Sequence, residues 1–339
     1  MLSLPTTLGL LLPSILVLTA HPTVAQQTNV ARILIYSATA DYRHDSIPTA
    51  VDSLVQLGPH SNIAFDHTED KTWFTDDTLA QYDALLFLSN TGEVLDESGK
   101  TALRNYLNLG GNFVAIHAAS DALRNTTWYQ DEVGAAFDYH PALTDANVDV
   151  VGPPHPSTAG LMNVWPVRDE MYNFKSDPRS IGAVVVLSAD ESSYKDPGPR
   201  KYDQGTPHPT AWYQEHGAGI DANGTPGRSF YTSLGHLNET WKDSLFLGHV
   251  MGGVTWALQS NTTRAFNASA RVGNGVPGSN GANGTSTASH SGTGTSSSPS
   301  STGTTANSSA SLASPEGIFS LGLGLYLVTS SIWTVLLLI

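Results

Sequence analysis

Short apolar segments alternating with helical patterns constrain the first half of this chain more than any other feature. VARILIYS (30–37), ALLFL (84–88) and NFVAI (112–116) read as short, largely apolar strands, with IAFDH (63–67) as a weaker fourth. Between them lie helical patterns. Pro48 can open a helix whose apolar face is Val51, Leu54 and Val55, with Asp45 as a possible cap. Asp96 to Leu109 carries a stripe of Leu103, Tyr106 and Leu107, and Gly110-Gly111 ends it. Strands and helices in alternation imply an α/β fold with a mostly parallel sheet covered on both faces. The second half is less regular. Its strand candidates are Val148–Val151, Ala183–Leu187, Thr210–Gln214 and Ser229–Thr232, followed by a final helix from Trp241 to Leu258.

The two ends differ from this body. Residues 1–25 have the form of a secretory signal peptide: an apolar run from Leu8 to Leu18, then Thr23-Val24-Ala25 as a small-residue cleavage site. The run is short for the alternative, a membrane anchor. Residues 318–339 contain no charged side chain, and as a helix they would be about 33 Å long, enough to cross a bilayer. Small residues at 307–310 and a polar spacer precede them, which is the pattern of a GPI-anchor signal, with a retained transmembrane tail as the alternative. Residues 272–314 are rich in Ser, Thr, Gly and Asn and are expected to form a disordered, O-glycosylated stalk. The folded body is expected over residues 29–261. Asn125, Asn223, Asn238, Asn261, Asn267, Asn283 and Asn307 begin N-glycosylation sequons, which a secreted chain would carry on its surface. The expected location is the secretory pathway, ending at the outer face of the plasma membrane or in the cell wall.

The formal charge of −14 disfavours nucleic acid as a partner, since phosphates call for a basic surface. There is no cysteine, so the body has no disulfides and depends on its core, for which 40% hydrophobic residues suffice.

Open α/β sheets bind ligands beyond the carboxyl ends of their strands. The loops there, Thr39–Ser46, Ser89–Leu95 and His117–Arg124, are rich in Ser, Thr, Asp, His and Gly. His117 follows directly on a buried strand, at a corner where many α/β enzymes carry a nucleophile. It is a candidate site residue, and a hydrogen-bonded tie to a neighbouring loop is its structural alternative. Arg43 and His44 are candidates for ligand contact. Thr91 can offer a backbone N–H to an anion or simply hold a turn.

Six blocks resemble the trehalose-utilisation (ThuA-like) family: ILIYSATADYRHDSIPTAV, LLFLSNTGEVLDESGKTALRNYLNLGGNFVAIHAASD, WYQDEVGAAFDYHP, HPSTAGLMNVWPVRDEMYNF, HPTAWYQEHGAG and GRSFYTSLGHLNETW. They fall in the family's order across roughly residues 32–258. The resemblance implies a flavodoxin-like three-layer sandwich related to the class I glutamine amidotransferases, and a loose link to sugar metabolism. The ends suggest a secreted, GPI-anchored member of fungal type.

In the amidotransferase relatives the corner holds a cysteine. Here AIHAA puts His117 in that place, so hydrolysis through a thioester is excluded. The relatives' late histidine corresponds to His236, and their glutamate two residues on corresponds to Asn238 here. His117 and His236, with Asp121 or Asp41 nearby, would suit acid–base work on a sugar hydroxyl or ketone. His117, His236, His44 and His140 are also candidate ligands for a divalent metal such as zinc, although no HExxH-type spacing supports it. Asp169, Glu170 and Tyr172, in the family-like DEMYNF block, are candidates to face a sugar. Three functions follow: an enzyme acting on a carbohydrate or oxidised sugar derivative, a non-catalytic glycan- or wall-binding module, and a structural wall protein.

Overall fold

A computed structural model describes residues 30–267 and 270. The signal segment 1–25, the stalk 272–314, the tail 318–339 and the sequons at Asn283 and Asn307 lie outside the described residues. Among the described residues no helix is long and apolar enough to cross a membrane.

In the first half the chain runs β1 (Ala31–Tyr36), α1 (Ile47–Leu57), β2 (Ile63–Thr68), α2 (Asp76–Leu79), β3 (Ala84–Leu88) and β4 (Thr91–Gly92). It continues through α3 (Glu97–Asn108), β5 (Asn112–Ile116), β6 (Asp121–Ala122), α4 (Thr127–Val133) and β7 (Phe137–Tyr139). The second half adds β8 (Thr144–Val150), β9 (Val164–Asp169), β10 (Asn173–Phe174), β11 (Val184–Ala189), β12 (Pro209–Gln214), β13 (Ser229–Thr232) and α5 (Ser244–Leu258).

Nine strands form one sheet in the order β2-β1-β3-β5-β13-β12-β11-β8-β9. The first five pair in parallel, and the remaining neighbours pair antiparallel. Only β12 and β8 run against the other strands of this sheet, so most of it points one way. Every residue of β3 and β5 is buried, which is why both read as unbroken apolar runs. Alternate side chains feed two cores. Ile33, Ile35, Leu86, Val114 and Ile116 pack with α1 and α5 through Leu54, Val250 and Val254. Leu34, Tyr36, Leu85, Phe87 and Phe113 pack with α2, α3 and α4 through Leu79, Leu103, Tyr106 and Tyr129. The result is the expected three-layer α/β sandwich.

Several local expectations are corrected. The buried stripe of α1 is Ile47, Ala50 and Leu54, while Val55 is 44% exposed. Asp45 does not cap α1. Ser46 occupies the cap position without a capping bond and sends its hydroxyl to the Gly235 carbonyl at 3.2 Å. α5 starts at Ser244 rather than Trp241, because Asp243 accepts from the N–H groups of Leu245 and Phe246 and fixes the first turn there. β9 and α4 were not anticipated. β9 is an edge strand, where Pro166 and Arg168 are tolerated but blur the alternation.

Asn125, Asn223 and Asn261 are exposed, and Asn238 and Asn267 are half-buried. Past α5 the chain stays on the body. Asn112, buried at the start of β5, donates to the Asp83 carbonyl (2.9 Å) and to the Thr263 hydroxyl (3.1 Å), and accepts from the Arg228 N–H (3.0 Å). Asn112→Ala strands all three partners. It is expected to cost about 2–4 kcal/mol of unfolding free energy, measurable by urea denaturation.

Candidate functional site

β5 ends at Ile116, and the backbone turns at once. His117 adopts a left-handed φ of 56°, unusual for a residue with a side chain, and opens a short 3-10 turn to Ser120. Ser89, at the tip of neighbouring β3, is left-handed too, with φ 51°. The strain at His117 is held from several sides. The Tyr231 hydroxyl donates to its carbonyl at 2.9 Å, and its ring Nδ1 lies 2.6 Å from the Ser233 carbonyl oxygen.

That last contact fixes the chemistry of the ring. A carbonyl can only accept, so Nδ1 carries the proton and the neutral ring keeps a bare lone pair on Nε2. Three groups crowd this one lone pair: His44 Nε2 at 3.0 Å, the Tyr172 hydroxyl at 3.1 Å and Glu170 Oε2 at 3.6 Å. His44 can donate from Nε2 only by leaving its own Nδ1 bare, and that Nδ1 is buried without a partner. His236 Nδ1 and Glu170 Oε2 approach to 3.2 Å without hydrogen-bond alignment, and both atoms are buried and unpartnered. Ligand atoms of His44, His117, Glu170 and His236 all lie within 4.8 Å of one another. Three imidazole nitrogens and one carboxylate oxygen, with more lone pairs than donors to meet them, form a set a divalent cation fits. The backbone carbonyl that orients His117 is the usual partner of a metal-ligating imidazole.

The electrostatics agree. Burial, and then the neighbouring His236, push the His44 imidazole down to about 4. Burial, and then His44, hold His117 well below the ordinary imidazole value. Both are therefore neutral at physiological pH, as ligands must be. Contact with the Glu170 carboxylate raises His236 despite its burial. Burial alone would raise the Glu170 carboxyl, but His236 and His140 outweigh it and keep the group below its usual value.

His44 and Glu170 of the cluster line a cleft of about 320 Å³ at the carboxyl ends of the strands, walled also by Tyr42, Phe137, His140, Tyr172, Thr91 and Asp121, while His117 lies buried behind them. A larger apolar groove of about 580 Å³, floored by Trp165, Leu234 and Phe246, lies elsewhere and has no cluster of ligating side chains.

The structure brings together His117, His236 and His44, and adds Glu170 in place of His140. His140 stands just outside, its Nε2 3.6 Å from Glu170 Oε1 and its ring stacked on Tyr172. Tyr172 faces the cluster. Other candidates are engaged differently. Asp121 lines the cleft, but Arg124 holds both of its oxygens, and Arg124 also pairs with Asp41 at 2.7 Å. Arg43 pairs with Glu69 at 2.7 Å and does not line the cleft. The Thr91 hydroxyl donates to the Tyr42 carbonyl at 2.7 Å, tying two rim loops. Asp169 faces no sugar: it is 1% exposed and accepts from backbone N–H groups. Tyr42 and Phe137 went unnoticed in the sequence, where no spacing marks them as cleft walls.

The fold is a flavodoxin-like α/β body with a buried His/Glu cluster at its strand ends. The chain belongs to the ThuA family, described as "Trehalose utilisation", whose profile matches residues 32–257. It is similar in structure to a ThuA-like protein of Bacteroides uniformis: TM-score 0.56, 19% identity, covering 73% of this chain and 99% of that one. A ThuA-like protein of Parabacteroides merdae aligns with TM-score 0.52 and 16% identity, over 68% of this chain and 90% of that one. These likenesses show a shared fold. No curated protein sequence matches the chain.

In the metal-free protein His236 is expected to be the first of the three clustered imidazoles to protonate as pH falls from 8, with His44 following only near pH 4. A histidine titration followed by ¹⁵N NMR reads this order directly. His44 protonating before His236 would contradict the assigned environment.

Proposed function

We propose that this protein is a divalent-cation-dependent enzyme acting on a carbohydrate or an oxidised sugar derivative, with His44, His117, His236 and Glu170 as the cation ligands. The observation that carries this reading is the convergence of four ligand atoms within 4.8 Å around a His117 lone pair that its neighbours overfill. The family description supports sugar as the substrate class. The nitrogen-rich set favours zinc.

A cation there would supply a Lewis acid for a sugar carbonyl or hydroxyl oxygen. The chain's own groups do the rest. Tyr42, Phe137 and Tyr172 give the cleft aromatic walls against which a sugar ring can lie. His140, one-third exposed and backed by Glu170, is placed to take or give a proton at a sugar hydroxyl or at the carbon beside a ketone. Tyr172 keeps its hydroxyl proton, because burial raises its pKa well above the ordinary phenol value. Nucleophilic attack by sulfur has no place, since the chain has no cysteine.

Residues 1–25 and 318–339 support a setting outside the cell, on a lipid anchor or a retained tail, with glycans on the exposed sequons. A non-catalytic glycan- or wall-binding module is the alternative, and the experiment separates the two.

Protein purified without a histidine tag is expected to contain close to one zinc or similar ion per chain by elemental analysis. His236→Ala and His44→Ala should lose it. Cation affinity should fall as pH drops below the His236 value, by about tenfold per pH unit, because ligation must displace that proton. With oxidised and native disaccharides, His140→Ala is expected to lower turnover at least 100-fold while leaving the bound ion in place. Sugar binding with no product in the wild type would favour the binding module. A chain that takes up no ion under any of these conditions would defeat the proposal.

A further inference from the structure

We infer that Asp169 is the positioning residue of the cation site, a buried carboxylate that sets two of the four ligands at once. This rests on the cation reading of the cluster. Asp169 closes β9, at the end of an edge strand otherwise half open to solvent. Its carboxylate is turned inward, and three backbone N–H groups point at it: Gly235 at 2.9 Å, His236 at 3.4 Å and Glu170 at 2.8 Å. Two of those three residues are ligands. His236 leaves the turn after β13, and Glu170 leaves the end of β9. These segments are 66 residues apart and not adjacent in the sheet, where β12, β11 and β8 lie between their strands.

No side-chain bond aligns Glu170 with His236. What fixes their separation is the shared carboxylate behind them. Gly235 makes the approach possible, since its φ of 132° suits glycine and the turn presents two successive N–H groups to one acceptor. The same turn is secured on its far side, where the Gly235 carbonyl accepts from the Ser46 hydroxyl and from Trp241 Nε1. Ser46 lies two residues after His44, so the third ligand's loop is registered against the same peptide. Acceptor oxygens are needed at 169 because all three facing groups are donors, and these N–H groups pull against the burial that raises its carboxyl to about 7. An amide would turn an NH₂ against one of them, and the turn carrying His236 would move away from Glu170.

The test uses the full chain, Co²⁺ as the probe and two variants, Asp169→Asn and Asp169→Glu. Asp169→Asn is expected to weaken Co²⁺ binding about 10- to 100-fold and to change the visible absorption band of the bound ion. Asp169→Glu, which keeps the acceptor, should recover at least part of both. Wild-type affinity and spectrum in Asp169→Asn would overturn the assignment of Asp169 alone. Absence of any Co²⁺ binding by the wild type would overturn the cation reading and this inference with it. A measurement on the wild type guards against a variant that does not fold. In the metal-free protein the Gly235 amide is expected to exchange with solvent at least about 100-fold more slowly than in an unstructured peptide. Free exchange at Gly235 would show that no clamp exists before the ion arrives, and would reject the inference without recourse to any variant.

Discussion

The hydrogen bonding of one four-residue turn, Ser233 to His236, holds the rest of the site in register. Its Ser233 carbonyl accepts from His117, its Gly235 carbonyl from Ser46, and its Gly235 and His236 N–H groups reach Asp169. The four clustered side chains sit on four separate stretches of chain: the loop after β1, the corner after β5, the end of β9 and the turn itself. The other three stretches are each bonded to the turn. Peptide groups are obligatory hydrogen-bonding partners once buried, so a buried turn with outward-facing N–H and C=O groups is a ready junction for whatever surrounds it.

The sheet makes that junction possible. β5 and β13 are parallel neighbours, paired from Ser229↔Phe113 to Thr232↔Ile116, so their carboxyl ends stop side by side. His117 and Ser233 are the next residue on each strand. The imidazole therefore meets the carbonyl at 2.6 Å through register alone. β1 and β3 end at the same edge and supply the loops of His44 and Ser89. The antiparallel half of the sheet contributes in another way. β9, at the far edge, sends Asp169 and Glu170 back toward the centre. Those two neighbours divide the labour, Asp169 turned to backbone and Glu170 to the cluster.

Much of this was legible in the sequence, for identifiable reasons. β3 was readable to the residue because a buried strand carries an unbroken apolar run bounded by polar loops, and β5 and β13 because their aromatic and β-branched residues stand between glycine and turn residues. β9 was not, since an edge strand half in water has no such run. The meeting of His117, His44 and His236 followed from the corner position, the loop rule for parallel sheets and the family resemblance. Glu170 looked sugar-facing, because two adjacent carboxylates look alike in one dimension and only the fold turns them to different partners. Arg43 and Asp121 looked free for a ligand because ion-pair partners such as Glu69 and Arg124 are chosen by loop geometry, which spacing does not encode.

The overfilled lone pair on His117 has a consequence for the protein's lifetime. Folding brings these unshared electron pairs against one another, and the two apolar layers must offset that repulsion. A bound ion removes the repulsion and adds its own binding energy to the native state alone, about 2.7 kcal/mol at a hundredfold excess over its dissociation constant. The filled molecule thus opens less often and presents itself less often to proteases. Were the proposed cation bound, the abundance of this protein would track the supply of that ion with no sensor or transcriptional control.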